Sequence, residues 1–140
     1  MIFLDRKKYT EKNIYLTKDI CPFCKIEEDE KQLLVHKTKY WEIRYNKYPY
    51  YWHKQNLLVF PIEHRIHTIE LSDEELIDYK NIEIYMKNYF WENNYFSFIR
   101  QTTSWRSAEH LHYHYLEWIF IHDKEDNTLF KVKNISKWEK

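Results

Sequence analysis

The sequence predicts an α+β domain in which an antiparallel sheet of about five strands carries one long helix. Three observations predict it. Runs rich in β-branched and aromatic residues recur at 33–36, 40–45, 56–61, 95–100, 110–122 and 128–133, with turn-prone polar residues between them. Between the third and fourth of these the apolar period changes to three and four, through Leu76, Tyr79, Ile82, Met86 and Tyr89. A length of 140 residues suits one domain, taken as 1–140, with enough chain to bury a core unaided by disulfides.

The elements follow in order. Residues 1–20 read as a polar lead-in with a short apolar segment, ahead of Cys21-Pro-Phe-Cys24 and the acidic turn Glu27-Glu-Asp-Glu30. Three strands come next, and then Ser72-Asp-Glu-Glu75 forms a capping box with acids in the first turn. The helix it opens is expected to run about 20 residues, to roughly Trp91, and to leave through Asn93-Asn94. The last two strands are joined by Asp123-Lys-Glu-Asp-Asn127. No repeat, low-complexity tract or linker interrupts the chain.

Composition narrows the functional classes. Lys plus Arg and Asp plus Glu are both 22, so no net charge draws the chain to nucleic acid or to an anionic membrane, and neither is expected as a partner. Phosphate binding has to come from a local site. Glycine is absent, which excludes Walker-type and dinucleotide-binding fingerprints and forces any turn with positive φ onto another residue. Met1-Ile-Phe-Leu-Asp-Arg-Lys-Lys brings charges after a very short apolar stretch, unlike a secretory signal, and no apolar run approaches the roughly 18 residues that span a bilayer. A cytoplasmic protein is expected, and in a reducing compartment two cysteines serve as metal ligands or redox groups more readily than as a disulfide.

The chemistry concentrates in His110-Leu-His-Tyr-His114. In a strand, alternation sends His110, His112 and His114 to one face, and Leu111, Tyr113 and Tyr115 to the other. At about 3.3 Å per residue His110 and His114 stand roughly 13 Å apart, too far to share one ion. A neutral imidazole is a competent nucleophile when its Nδ1–H is held and Nε2 presents a lone pair. His112, with a histidine on either side, is the best placed of the three. A surface stripe or a purely structural metal site is the rival reading of the same triplet. Arg106 and Ser107, just upstream, offer a guanidinium and a hydroxyl where an oxyanion would sit.

Cys21-Pro-Phe-Cys24 is half of a tetrahedral zinc site and needs two further ligands. His64 with His67 would resemble a Cys2His2 finger, but 39 residues separate Cys24 from His64, far beyond a finger's spacing. His64 with His110 is preferred. Cys-Pro-Phe-Cys also looks like a glutaredoxin-type redox pair, which would require a βαβ unit after the motif, whereas acidic and then strand-like residues follow.

Taken in order, Cys21-Pro-Phe-Cys-Lys-Ile, Leu57-Leu-Val-Phe-Pro-Ile-Glu-His64 with the following Thr68-Ile-Glu-Leu-Ser-Asp-Glu-Glu-Leu, and Ser107-Ala-Glu-His-Leu-His-Tyr-His114 resemble the histidine-triad superfamily, including its zinc-containing galactose-1-phosphate uridylyltransferases. The resemblance covers roughly residues 20–118. It implies a histidine-triad-like fold and a structural zinc on Cys21, Cys24, His64 and His110. It implies His112 as the nucleophile, forming a nucleotidyl-histidine, with its Nδ1–H on the main-chain carbonyl of His110. His114 and Ser107 would bind the α-phosphate, and Asn46 would stand where the family often has an aspartate for the ribose hydroxyls. Transferase members resemble His-x-His-x-Gln, so His114 favours hydrolysis of a dinucleoside polyphosphate, nucleoside phosphoramidate or related nucleotide. A nucleotidyltransferase or phosphorylase, and a non-catalytic zinc-stabilised nucleotide-binding module, are the alternatives. Family members are commonly homodimers. Trp105 and Arg106 replace the family's glycine and glutamine, and Tyr48-Pro-Tyr-Tyr-Trp-His53 is longer and more aromatic than the usual loop. Tyr50, Tyr51 and Trp52 would stack on a base, or else pack within the loop or against a second subunit.

Overall fold

A computed structural model describes residues 21, 23–25, 28–50, 52–101, 110–121 and 131–134. The helix α1 spans Asp73–Phe90 and starts as its chemistry dictates. Ser72 Oγ accepts the Glu75 N–H at 3.1 Å and Glu75 Oε1 accepts the Ser72 N–H at 2.8 Å, so two of the otherwise unpaired N-terminal donors are satisfied reciprocally. Asp73, Glu74 and Glu75 set negative charge against the positive end of the helix dipole.

The buried face of α1 is Glu75, Asp78, Ile82, Met86 and Phe90; of the expected row, Ile82 and Met86 are in it, Tyr79 and Tyr89 pack half-buried against the core, and only Leu76, 54% exposed, turns out. Carboxylates take the inward places because donors wait for them. Glu75 Oε1 also accepts from Arg65 Nε and Nη2, at 3.1 and 2.9 Å, and its main-chain carbonyl accepts the Trp41 indole N–H at 2.8 Å. Asp78 Oδ2 accepts the Tyr40 N–H at 2.8 Å and the Thr38 hydroxyl at 2.7 Å. At the other end the positive φ falls on Trp91, at 50°, two residues before the expected asparagines. Its N–H closes on Lys87 O at 2.9 Å.

Five strands, β1 (Leu34–Lys37), β2 (Trp41–Tyr45), β3 (Asn56–Pro61), β4 (Phe96–Ile99) and β5 (Tyr113–Leu116), form one antiparallel sheet in the order β1-β2-β3-β5-β4. This bears out the expected fold class. Every residue of β3 is buried, which accounts for its unbroken apolar run: one face meets α1 and the other is covered as well. Trp41, Ile43, Leu57, Val59, Leu111 and Tyr115 pack with Ile82, Met86 and Phe90 into the core.

The segment expected as one strand from 110 to 122 is divided. The Leu111 N–H leaves the ladder for Arg65 O at 2.6 Å, so β5 begins only at Tyr113, and the Glu117 N–H turns to Gln55 O at 3.1 Å. Beyond it β6 (Trp118–Ile121) pairs with β7 (Lys131–Asn134) as a separate two-stranded sheet. The linking turn expected at 123–127 lies outside the described residues. Among the described residues, no helix is long and apolar enough to cross a membrane.

Candidate active site and metal centre

The sheet face away from α1 gathers the site. On β3 the residues alternating with the core's Leu57 and Val59 are Asn56, Leu58 and Phe60, and on β5 Leu58 pairs with His114. Leu111 and Tyr115 enter the core, while His110, His112 and His114 take the opposite side. The alternation read from the sequence thus survives although the first three residues are not laddered.

Cys21, Cys24, His64 and His110 converge, their ligand atoms all within 4.8 Å of one another. Cys21 Sγ lies 3.3 Å from His110 Nδ1, and Cys24 Sγ lies 3.2 Å from His64 Nδ1 and 3.4 Å from His110 Nδ1. Two ligands on a tetrahedral zinc would stand roughly 3.3–3.8 Å apart, given bonds of about 2.0–2.3 Å. The thiol and imidazole set therefore fits such an ion. The surroundings of the ring agree: His110 Nε2–H donates to Pro61 O at 2.7 Å, which leaves the Nδ1 lone pair towards the sulfurs. Burial pushes His110 down to about 4, keeping that ring neutral and able to ligate.

Three distant pieces are held to make this cluster. The Lys25 N–H bonds Cys21 O at 3.1 Å and closes the Cys-x-x-Cys turn. His64 follows the end of β3, and its neighbour Arg65 is clamped between Glu75 on α1 and the Leu111 N–H. His67 instead starts the short turn Thr68–Glu70 and takes no part in the cluster. The residues after Cys24 run through a 3₁₀ turn, Glu28–Leu33, into the antiparallel pair β1–β2, so the βαβ unit a glutaredoxin-type motif needs is not formed there.

His112 is buried, and its Nδ1–H donates to His110 O at 2.8 Å, leaving Nε2 as the nitrogen with a lone pair. His114 lies flat on Phe98, its cross-strand partner on β4, at 4.7 Å and 6°, with the Tyr50 ring edge-on at 5.7 Å. The His112 and His114 rings are 5.2 Å apart. Ser107 and Arg106 lie outside the described residues, as does Tyr51.

Asn46 sits at the end of β2 with its amide committed to the loop that follows. Its Nδ2 donates to Asn56 Oδ1 at 3.0 Å and its Oδ1 accepts the Tyr48 N–H at 2.9 Å, while Asn56 Oδ1 also accepts the Tyr50 N–H at 3.3 Å. The paired amides aim the loop so that Tyr50 reaches His114, whereas Trp52 packs edge-on with His53.

Phe23, Arg44, Phe60 and Phe98 join the site without having been singled out from the sequence. One signal was available: β3 is apolar at consecutive positions, so its second face is covered, and the alternate residues Glu42 and Arg44 on the next strand lie beside that cover.

No protein-family model matches the sequence, and no curated protein matches it. Among solved structures the fold is similar to that of a HIT family hydrolase from Clostridium thermocellum, with a TM-score of 0.59 and 19% identity, covering 78% of this chain and 99% of that one. A histidine triad protein from Clostridium difficile is similar at TM-score 0.57 and 18% identity, covering 79% and 100%. Diadenosine triphosphate hydrolase from Plasmodium falciparum, solved in complex with cyclomarin A, is similar at 0.53 and 22%, covering 74% and 69%. This chain has the histidine-triad fold.

Proposed function

We infer that the protein is a nucleotide hydrolase of the histidine-triad type, acting at an α-phosphate through a nucleotidyl intermediate on His112. The observation that carries this reading is the 2.8 Å bond from His112 Nδ1–H to His110 O, which presents Nε2 as a nucleophile beside a metal-type cluster. Hydrolase names among proteins of the same fold support it.

In this reading Nε2 of His112 attacks the α-phosphorus, a P–N bond forms, and the bond to the leaving group breaks with its electron pair going to that group, which gains a proton. The ring becomes cationic, and the His110 carbonyl on Nδ1–H stabilises that charge. Water then attacks phosphorus and loses a proton, the P–N bond breaks, and neutral His112 and a nucleoside monophosphate are regenerated. His114, Ser107 and Arg106 hold the phosphate oxygens, and Asn46 orders the loop next to the ribose. Cys21, Cys24, His64 and His110 would hold a zinc ion, which would supply a structural tie between their segments. Reducing surroundings keep both thiols available. A dinucleoside polyphosphate or nucleoside phosphoramidate is the substrate class, and a homodimer is the expected assembly, with Ile77 and Ile84 exposed on the outside of α1 and Trp91 exposed just past its end.

His112→Ala tests this. Turnover should fall by at least about 10³-fold, the His112 adduct seen by mass spectrometry should vanish, and metal content should stay. Retained turnover overturns the reading. Comparing water, phosphate and sugar phosphate as acceptors separates the hydrolase from a transferase.

A further inference from the structure

Phe23 stands between two of the four candidate ligands in sequence and against the nucleophile in space. Its ring centroid lies 4.5 Å from Phe60, 5.5 Å from His110 and 5.2 Å from His112. Its main-chain carbonyl accepts Arg44 Nη2–H at 3.4 Å. Arg44 is itself fixed: Nε and Nη2 donate to Glu42 Oε2 at 3.1 and 2.7 Å, and the guanidinium lies over the Phe60 ring at 4.5 Å.

Placing a nearly buried Arg on the site face of β2 costs desolvation, and the Glu42 carboxylate, itself only 13% exposed, offsets it. The pair makes no part of the core against α1. It braces the carbonyl of Phe23 and the ring of Phe60, which are the two supports of the Phe23 side chain. Arg44, Phe60, Phe23 and His112 then form one continuous row of contacts, its rings tilted by 35° and 38° to one another, with His110 at its flank.

We propose that Phe23 is a positioning residue for His112, through which an ordered Cys21–Cys24 loop sets the rotation of the nucleophilic ring. The bond from Nδ1–H to a carbonyl fixes which nitrogen is protonated but does not by itself set the tilt of the imidazole. The Phe23 ring, packed against it at 5.2 Å and 38°, bears on that angle. Metal and Arg44 act on the loop from two sides, and Phe23 carries the result to His112. The inference rests on His112 being the nucleophile, and its test separates the two.

The readout is NMR of the imidazole of His112 in the metal-loaded protein, alongside metal analysis and kinetics. In unsubstituted protein, Phe23 and His112 ring protons should share a cross-relaxation signal that is lost on chelation. In Phe23→Leu the metal content should be unchanged, the His112 ring signals should resemble those of the chelated protein, and kcat should fall about tenfold with KM moving less than about twofold. Phe23→Tyr keeps the ring and should restore both. Wild-type His112 signals and kcat in metal-loaded Phe23→Leu overturn the proposal, and so does loss of metal together with turnover, which would make Phe23 merely structural. If Phe23→Leu does not fold, the chelation series decides alone: a ring-to-ring signal that persists without metal overturns the coupling. A protein with no turnover on any nucleotide, yet with the metal-dependent ring signal, sinks the hydrolase reading and leaves the coupling standing.

Discussion

Asp78 shows how one inward carboxylate ties the helix to the sheet. Burial by itself raises its carboxyl, but hydrogen bonds from Asn81, Thr38 and the Tyr40 N–H outweigh that and hold it below its ordinary value of 3.8. A carboxyl depressed in the folded state contributes stability that is fully present above the unfolded value and is lost as pH falls through the lower folded one. Acid titration of stability should therefore show a loss below pH 3.8 that Asp78→Ala lacks. At neutral pH the same variant should cost about 1–3 kcal/mol in chemical denaturation, since it leaves the Tyr40 N–H and Thr38 hydroxyl without their acceptor. No change at either pH would mean that water replaces the carboxylate without loss.

At the scale of elements, the end of α1 carries the penalty of a chain without glycine. Trp91 takes a φ of 50°, where a Cβ crowds the neighbouring carbonyl, and its side chain is 68% exposed, so little burial rewards it. Trp91→Gly should stabilise the protein by about 1 kcal/mol in calorimetry, and a destabilised variant would show that the indole does more than the strain costs. The start of α1 was legible because capping is local: Ser72 and Glu75 are three residues apart and satisfy each other. Its buried face was less so. Glu75 and Asp78 point inward because of Arg65, Thr38 and Tyr40, donors 10, 40 and 38 residues away, and a helical period cannot register them. The same holds for the strand bearing the histidines. Alternation put all three on one face, but the departure of Leu111 towards Arg65, across 46 residues, started the ladder three residues later than the pattern allowed. Asn46 repeats the lesson, its amide being bound by Asn56 on another strand.

At the scale of the whole molecule, the candidate metal cluster joins the segment before β1 to the loop after β3 and the entry to β5, the last two being already linked by the Leu111 N–H on Arg65 O. Filling it should stabilise the entire fold. At about 100 times the dissociation constant a ligand bound only to the native state adds about 3 kcal/mol, a shift on the order of 10 °C in Tm for a chain of this size. Thermal melts with and without chelator should show that gap, and Cys24→Ser should melt near the chelated value under both conditions. Equal melts for the unsubstituted protein would deny the cluster a structural role. That four candidate ligands spread over 89 residues were recognisable from sequence owes to their chemistry, since two thiols two residues apart can grip one ion and need further partners. Phe23 and Arg44 were not recognisable, because packing on an imidazole leaves no mark in spacing.

His110 serves the two halves of the site with different atoms, its ring towards the sulfurs and its carbonyl towards His112. Every amino acid possesses that carbonyl. Replacement at position 110 therefore strips a ligand without deleting the acceptor that selects the tautomer of His112, and only the acceptor's placement is left at risk. A single substitution there can thus erase a candidate metal ligand, while the choice of which His112 nitrogen carries the proton is written into the backbone.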